Sequence, residues 1–363
     1  MNSRERVFLT INHKEPDKVP LFEHSINPHI VDALVKNNYS SDSQFIDLKQ
    51  LGVIQTSIIL GLDLLCITLE ELNEFDFKIN NDRWIDEFGR VWQKDYTPGA
   101  GMGNYCGGLI QTESDIKKYT PLLHLERRLP NSIKKIVEKY SDHAFTYRWY
   151  GPLELTYESM GIENFCTSLY FNRKLVKKLL DIRTDWVIEI AQRAINLGVD
   201  FIFLGDDAGY KTAPLFSPKD YKDLVAPCYK RIYDKLKVPI FIHSCGYVEE
   251  LIPIMKDAGI TGIHPLEPMA NMNLKKIKDT YGNFLTLFGN VDCSWILCQT
   301  DVQLIRNEVD RCFQDGARGG GYILSSSNSL HAGISPENAQ ELFSYASKTG
   351  YYSDLHKKYW NND

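Results

Sequence analysis

Short runs of β-branched and aromatic residues alternate along the chain with longer segments of helical periodicity. Eight such runs are present, at residues 19–22, 64–68, 144–147, 201–204, 240–242, 262–263, 285–288 and 322–324. Strands that alternate with helices predict βα units and a parallel sheet. Eight is the number of strands that closes a (β/α)₈ TIM barrel. A doubly wound open sheet is the alternative that the same alternation permits.

Capping signals mark the helices between these runs. Ser217 precedes Pro218, and Ser335 precedes Pro336. Serine is a preferred N-cap residue and proline suits the first helical position, so both pairs predict helix starts. Gly259 follows the helical pattern of residues 247–257 and predicts its end.

The stretch from residue 75 to residue 96 has a different pattern. Phe77 and Ile79 are followed by the turn sequence Asn80-Asn81-Asp82 and a second apolar run that ends near Trp92. This pattern predicts a β-hairpin insertion after strand two. Because binding residues often lie on such loops, we expect it to form a rim of the active site.

Composition and charge narrow the class of protein. The chain has 363 residues, of which 43% are apolar and 24% charged, and this is typical of a folded domain with a large core. We expect one (β/α)₈ domain over residues 1–363. The net charge of −6 and the lack of a long basic run argue against nucleic acid or an anionic membrane as a partner. The N-terminus shows no signal-peptide pattern, and no apolar run approaches 18 residues, so we expect a cytoplasmic protein whose eight cysteines are reduced.

Polar and ionisable residues follow almost every predicted strand. They are Glu23 and His24 after the first run, Arg148 and Glu154 after the third, Asp206 and Asp207 after the fourth, His243 and Cys245 after the fifth, His264 and Glu267 after the sixth, Asn290 and Asp292 after the seventh, and Ser325 to Asn328 after the eighth. In a barrel of this kind the chemistry takes place where the strands end and the βα loops begin. This distribution favours an enzyme.

His243 and Cys245 are the strongest candidates for metal ligands. They are two positions apart, so their side chains share a face of an extended strand end. Imidazole and thiolate both bind zinc, and Gly246 lets the backbone turn away. Glu267 could add a carboxylate oxygen and leave one coordination position open, as catalytic zinc requires. A buried structural His–Cys pair and a loop glutamate bound to backbone are the alternatives.

Two further sets of residues could act on the substrate. Asp206 and Asp207 are adjacent, so one could face the pocket as a base or a substrate-binding residue while the other is structural. Arg148 and Tyr150 could hold an anionic group, although Arg148 could equally pair with a carboxylate at the barrel mouth. We assign Glu23, His24, Tyr150, Glu154 and Asn328 to substrate binding.

Several motifs resemble the uroporphyrinogen decarboxylase superfamily. They are Arg4-Glu5-Arg6-Val7, Asn12 to Pro20, Asp86 to Trp92, Gly205-Asp206-Asp207, His243-Ser244-Cys245-Gly246 and Phe288 to Asp292. Together they span nearly the whole chain. The resemblance implies a (β/α)₈ barrel.

Within that superfamily, His243 and Cys245 resemble the corrinoid-linked methyltransferase branch. The decarboxylases carry an arginine-rich motif after strand one, and here Phe22-Glu23-His24-Ser25 contains no arginine. The related cobalamin-independent methionine synthases have His-x-Cys, then a glutamate that resembles Glu267, then a cysteine near the last strand. The residue at that last position resembles Asn328, a poor zinc ligand. The metal could have three protein ligands, Cys293 or His331 could complete the shell, or the site could have another purpose.

The resemblance implies a zinc-dependent transfer of a methyl group between a small methylated substrate and a corrinoid. Because the chain has no Asp-x-His-x-x-Gly cobalamin motif, the corrinoid (cobalamin) would be carried by a separate partner protein. A metal-free decarboxylase or lyase that uses Asp207 is the second interpretation. A non-catalytic binder of a corrinoid protein, or a ligand sensor, is the third.

Overall fold

The computed structural model of the chain describes residues 1–36, 48–69, 77–96 and 103–360. Within these residues the strands form two sheets, one of seven strands and one of four. In chain order the strands are β1 Leu64–Thr68, β2 Phe77–Lys78, β3 Arg83–Ile85, β4 Arg90–Gln93, β5 Asn104–Gly108, β6 Ala144–Tyr150, β7 Phe201–Gly205, β8 Ile240–His243, β9 Gly262–His264, β10 Thr286–Val291 and β11 Tyr322–Ser326.

The seven-stranded sheet is parallel, and its order is β1-β6-β7-β8-β9-β10-β11. Spatial order follows chain order without the reversal that defines a doubly wound sheet, so that alternative is wrong. Seven of the eight predicted strands are confirmed. Each begins within one residue of its predicted start, because β-branched and aromatic runs bounded by turn residues mark strands directly.

The first predicted strand, at residues 19–22, is not a regular strand. Leu21 forms an isolated parallel bridge with Leu324 of β11, and the Phe22 N–H donates to the Leu324 carbonyl at 3.0 Å. On the other side, the Asp63 N–H donates to the Leu21 carbonyl at 2.8 Å. The segment therefore lies between β11 and β1, where a (β/α)₈ barrel has its eighth strand. Pro20 lacks the N–H that a regular ladder needs.

The two faces of the parallel sheet contact different apolar clusters. Phe201 and Phe203 of β7 belong to an interior cluster, whereas Ile202 and Leu204 pack in the larger cluster that includes the helices. The ring of Phe203 lies 5.5 Å from that of Phe288 on β10. This alternation has the period of two expected of strands, and it shows that the sheet curls around an aromatic interior.

The helices of the described residues alternate with groups of strands, and three of them precede β1. They are α1 Ser3–Ile11, α2 Pro28–Val35, α3 Leu48–Ile59, α4 Glu113–Lys118, α5 Leu125–Arg128, α6 Ser132–Lys139, α7 Pro152–Met160, α8 Ile162–Phe171, α9 Arg173–Asn196, α10 Pro218–Asp220, α11 Ala226–Leu236, α12 Ile252–Asp257, α13 Leu274–Tyr281, α14 Val302–Gly316, α15 Pro336–Thr349 and α16 Tyr352–Leu355. The predicted caps are confirmed, because the Ser217 and Ser335 hydroxyls each accept a backbone N–H at 3.1 Å. No helix of the described ranges is long and apolar enough to span a membrane.

Strands β2 to β5 form an antiparallel sheet between β1 and β6 in the chain. The sequence predicted a single hairpin here, and the structure has four strands; residues 75 and 76 of the predicted stretch lie outside the described residues. The sheet contacts α7 closely, since a Cβ at Gly108 would lie 2.1 Å from the Glu158 carbonyl oxygen. Arg90 of β4 also donates to the Glu158 carboxylate at 2.8 Å. The inserted sheet is thereby fixed to the helix that follows β6.

Candidate functional site

Three possible metal-binding side chains meet at the carboxyl ends of β7 and β8. The ligand atoms of Asp207, His243 and Cys245 all lie within 4.8 Å of one another. Cys245 Sγ is 3.2 Å from His243 Nε2, and Asp207 Oδ1 is 3.7 Å from the same nitrogen. The sequence predicted His243 and Cys245 as ligands and Asp207 as a catalytic residue. The structure brings all three together.

The loops after β7 and β8 hold this cluster through backbone contacts. The Cys245 N–H donates to Asp207 Oδ1 at 2.8 Å, and the Ala208 N–H donates to Ser244 Oγ at 2.9 Å. Gly246 has a φ of +78°, and a Cβ there would lie 2.6 Å from the Gly209 carbonyl carbon. Only glycine combines that conformation with so close an approach.

Two more histidines contact His243. The His24 ring stacks on the His243 ring with centroids 4.1 Å apart, and His243 Nδ1 lies 2.7 Å from His264 Nδ1. Burial is the main cause that lowers the pKa of all three histidines, which favours neutral imidazoles. If His243 Nδ1 carries the proton and donates it to His264, His243 Nε2 is free to bind a metal. The sequence placed His264 after the sixth predicted strand but did not predict this contact.

The chemistry of the donor set fits zinc. Carboxylate oxygen, imidazole nitrogen and thiolate sulfur are the three kinds of ligand that zinc accepts in proteins. Burial, followed by the neighbouring Asp207 and Glu267 carboxylates, raises the pKa of the Cys245 thiol above its ordinary value. A divalent cation would reverse that effect, because a coordinating thiol is deprotonated. Asp207, His243 and Cys245 therefore form a candidate metal centre.

Glu267 and Asn328 each contact this centre from a neighbouring loop. Glu267 Oε2 accepts the Gly246 N–H at 3.0 Å, and its carboxylate lies outside the group of three. Asn328 Nδ2 donates to Cys245 Sγ at 3.1 Å. Glu267 as a metal ligand and Asn328 as a substrate-binding residue stay predictions.

The two adjacent aspartates have different surroundings. The Asp206 side chain is fully buried, and its carboxylate accepts the N–H groups of Leu153 and Glu154 at 3.1 and 2.5 Å and the Tyr229 hydroxyl. Burial raises the pKa of Asp206 to about 7. Asp206 thus satisfies the first turn of α7, whereas Asp207 faces His243 and Cys245. The sequence predicted that the two would point apart, but not which one would face the pocket.

Glu154 contacts the backbone of Asp207, and Glu23 precedes His24, whose ring stacks on that of His243. Glu154 Oε2 accepts the Asp207 N–H at 3.1 Å, and burial, with Asp207 as the next cause, raises the pKa of Glu154 well above its ordinary value. Glu23 accepts the Ser326 hydroxyl at 2.9 Å, and burial raises its pKa to about 8. Burial therefore shifts both carboxyls towards the protonated form.

Arg148 and Tyr150 separate in the structure. Arg148 Nε is buried and makes no hydrogen bond among the described residues, and the guanidinium charge contributes to lowering the pKa of His24 and of His243. Tyr150 instead lies under Arg90 of the inserted sheet, with the guanidinium carbon 4.5 Å from its ring centroid. Arg148 therefore acts on the histidines of the centre, whereas Tyr150 contacts the inserted sheet.

The two alternative ligands named from the sequence lie in a neighbouring cluster. His331 Nε2 is 2.9 Å from the Cys293 carbonyl oxygen, and Cys293 Sγ accepts the Ser327 hydroxyl at 3.4 Å. Neither side chain belongs to the group of three formed by the described residues.

Two known proteins whose sequences are similar to this chain are methyltransferases. The chain is 21% identical over 156 residues to the methylated-thiol–coenzyme M methyltransferase of Methanosarcina mazei, a match that covers 43% of this chain and 41% of that protein. It is 22% identical over 166 residues to a methylcobamide:CoM methyltransferase of Methanosarcina barkeri, covering 46% and 48%. The matches thus span less than half the length of these relatives, which are both methyltransferases.

Solved structures share the fold. A methyltransferase from Methanosarcina mazei superimposes with a TM-score of 0.75 at 19% identity, over 96% of this chain and 99% of that one. A B12-independent methionine synthase from Shewanella sp. W3-18-1 gives 0.52 at 12% identity, over 94% and 98%. Residues 99–349, more than half of the chain, match the family described as uroporphyrinogen decarboxylase (URO-D). The chain belongs to the uroporphyrinogen decarboxylase (URO-D) family.

Proposed function

We propose that this protein is a zinc-dependent methyltransferase. It moves a methyl group between a small methylated substrate and a cobalamin carried by a separate corrinoid protein. The substrate is a methyl ether, a methylamine, a methanol-derived group or a thiol. The names of the two methanosarcinal relatives support the methyl transfer, and that of the methylcobamide:CoM methyltransferase supports the corrinoid.

The observation that carries the proposal is the meeting of Asp207, His243 and Cys245 within 4.8 Å. These residues would hold the zinc, with Glu267 as a further predicted ligand. When bound, zinc supplies Lewis acidity to the heteroatom that carries or accepts the methyl group.

The surrounding residues bind and orient the substrate. Arg148 attracts an anionic part of the substrate, since its buried Nε has no hydrogen-bond partner among the described residues. His264 holds the His243 ring through the 2.7 Å contact between the Nδ1 atoms. Glu154 orients Asp207 by accepting its N–H, and His24 packs against the His243 ring.

Metal analysis and a methyl-transfer assay test the proposal together. Purified protein should contain about one zinc per chain, and His243→Ala and Cys245→Ala should each lose the metal and the transfer of methyl groups to or from free cobalamin. Cys166→Ala on α8 is the matched control, because Cys166 takes no part in these contacts. Full activity in chelator-treated, metal-free protein would contradict the proposal.

The same preparation tests the second interpretation, a metal-free decarboxylase or lyase in which Asp207 is the acid-base group. That reaction would release carbon dioxide from a carboxylated substrate and would be insensitive to chelators. Loss of this release in Asp207→Asn, with His243→Ala fully active, would favour it over methyl transfer.

A further inference from the structure

Asn328 contacts the sulfur of the candidate centre. Its Nδ2 lies 3.1 Å from Cys245 Sγ, across 83 positions of the sequence. The loop that carries it is anchored by Ser327, whose N–H donates to the Val291 carbonyl at 2.7 Å. An amide nitrogen donates hydrogen bonds and does not accept them. The Nδ2 atom of Asn328 is therefore a hydrogen-bond donor to the Cys245 sulfur.

We propose that Asn328 is a positioning residue that makes the centre a single-thiolate site, and this inference rests on the proposed function. Its N–H donates to the Cys245 thiolate and holds the sulfur in place. Its side-chain amide is neutral, whereas a cysteine at this position would add a second thiolate and a negative charge.

A count of charges gives the consequence. For Asp207, His243 and Cys245 alone, with Glu267 kept on the Gly246 N–H and outside the metal's ligand shell, one carboxylate, one thiolate and a neutral imidazole balance the two positive charges of zinc. A hydrogen bond to a thiolate stabilises its charge, so the sulfur donates less electron density to the metal. A neutral centre with an open position is a stronger Lewis acid than one with an additional thiolate. Zinc held by Asp207, His243 and Cys245 would supply this Lewis acidity to a heteroatom of the substrate.

Cobalt substitution tests the inference directly, because the intensity of the thiolate-to-cobalt charge-transfer band reports how many thiolates bind the metal. Cobalt-loaded wild type should show the intensity of one thiolate, and Asn328→Cys should raise it about twofold. Asn328→Ala should keep the intensity of one thiolate, shift the band to lower energy and weaken zinc binding about tenfold in a chelator competition. Ser329→Ala, at the next position, is the matched control and should behave as wild type.

The outcomes separate this inference from the proposed function. If wild type binds neither cobalt nor zinc, the proposed function fails and the inference fails with it. If wild type binds zinc and transfers methyl groups but Asn328→Ala keeps both the band energy and the affinity, only the role of Asn328 is overturned. A two-thiolate intensity in wild type would overturn it as well. Should Asn328→Cys fail to fold, the alanine variant decides alone.

Discussion

The two ends of the parallel sheet differ in how their charged side chains are paired. At the amino ends, Arg6 donates to Asp17 and to Asp63 at 2.6 to 2.9 Å, and Arg4 donates to both oxygens of Asp200. Each of these carboxylates has a guanidinium beside it. At the carboxyl ends, acids and imidazoles crowd together, and the buried Nε of Arg148 makes no hydrogen bond among the described residues.

The amino ends of the sheet therefore contribute to stability, and the carboxyl ends carry the candidate site. Ion pairs with several hydrogen bonds hold the amino ends closed, because the groups satisfy one another. The carboxyl ends bury acids such as Asp206 and Glu23, for which burial outweighs the hydrogen bonds they accept and raises the pKa. Such an arrangement costs stability and is typical of a site that receives a ligand or a metal.

The largest expected effect is at the amino ends. Arg6→Met removes the cation beside Asp63, whose side chain is 2% exposed, and leaves a buried charge without its partner. The free energy of unfolding should fall by about 3–5 kcal/mol, measured by denaturant titration. Zinc content per folded chain should not change. Lys230→Met, which removes an exposed pair with Asp234, is the control and should leave stability nearly unchanged.

The adjacent aspartates provide a smaller effect and a matched pair. Asp206→Asn sets an amide against the donors of α7 and Tyr229, so stability should fall by about 1–3 kcal/mol while zinc still binds. Asp207→Asn should weaken zinc binding at least about tenfold with little loss of stability. Denaturant titration and chelator competition on both variants measure the two quantities. An equal loss of zinc affinity in the two variants would contradict the assignment of Asp207, and not Asp206, to the metal centre.

The smallest effect is the pH dependence of stability, and it has opposite signs at the two ends. Burial raises the pKa of Glu23 to about 8, so its contribution is fully present below its ordinary pKa and is lost as the pH rises towards 8. For Asp17, burial raises the pKa but the hydrogen bonds from Arg6 outweigh it. The resulting pKa lies below the ordinary value, and that contribution is lost on acidification.

In denaturant titrations between pH 5 and pH 8, Glu23→Gln should lose less stability with rising pH than wild type, because the variant lacks this titration. A steeper slope in Glu23→Gln than in wild type would contradict the assignment.

Much of the fold was predictable because its signals are local. The strands β1 and β6 to β11 are recognised from the residue types of adjacent positions. The caps at Ser217 and Ser335 depend on contacts only three positions away. The irregular segment at residues 19–22 was harder. There the Leu21 N–H donates to the Asp63 side chain at 2.9 Å instead of to a neighbouring strand. Its acceptor lies 42 positions away in the sequence, so no local pattern indicates it.

By itself, the sequence determined the order of strands and helices and the His243–Cys245 pair, since two residues on one strand end share a face whatever surrounds them. Only the tertiary structure decided that Asp207 and not Asp206 faces the pair, that His264 supports His243 and that Asn328 reaches the sulfur. These contacts join residues 21 to 83 positions apart, and their geometry depends on how the strands curl around the aromatic interior. A linear pattern holds no information about which side chain a distant loop will meet.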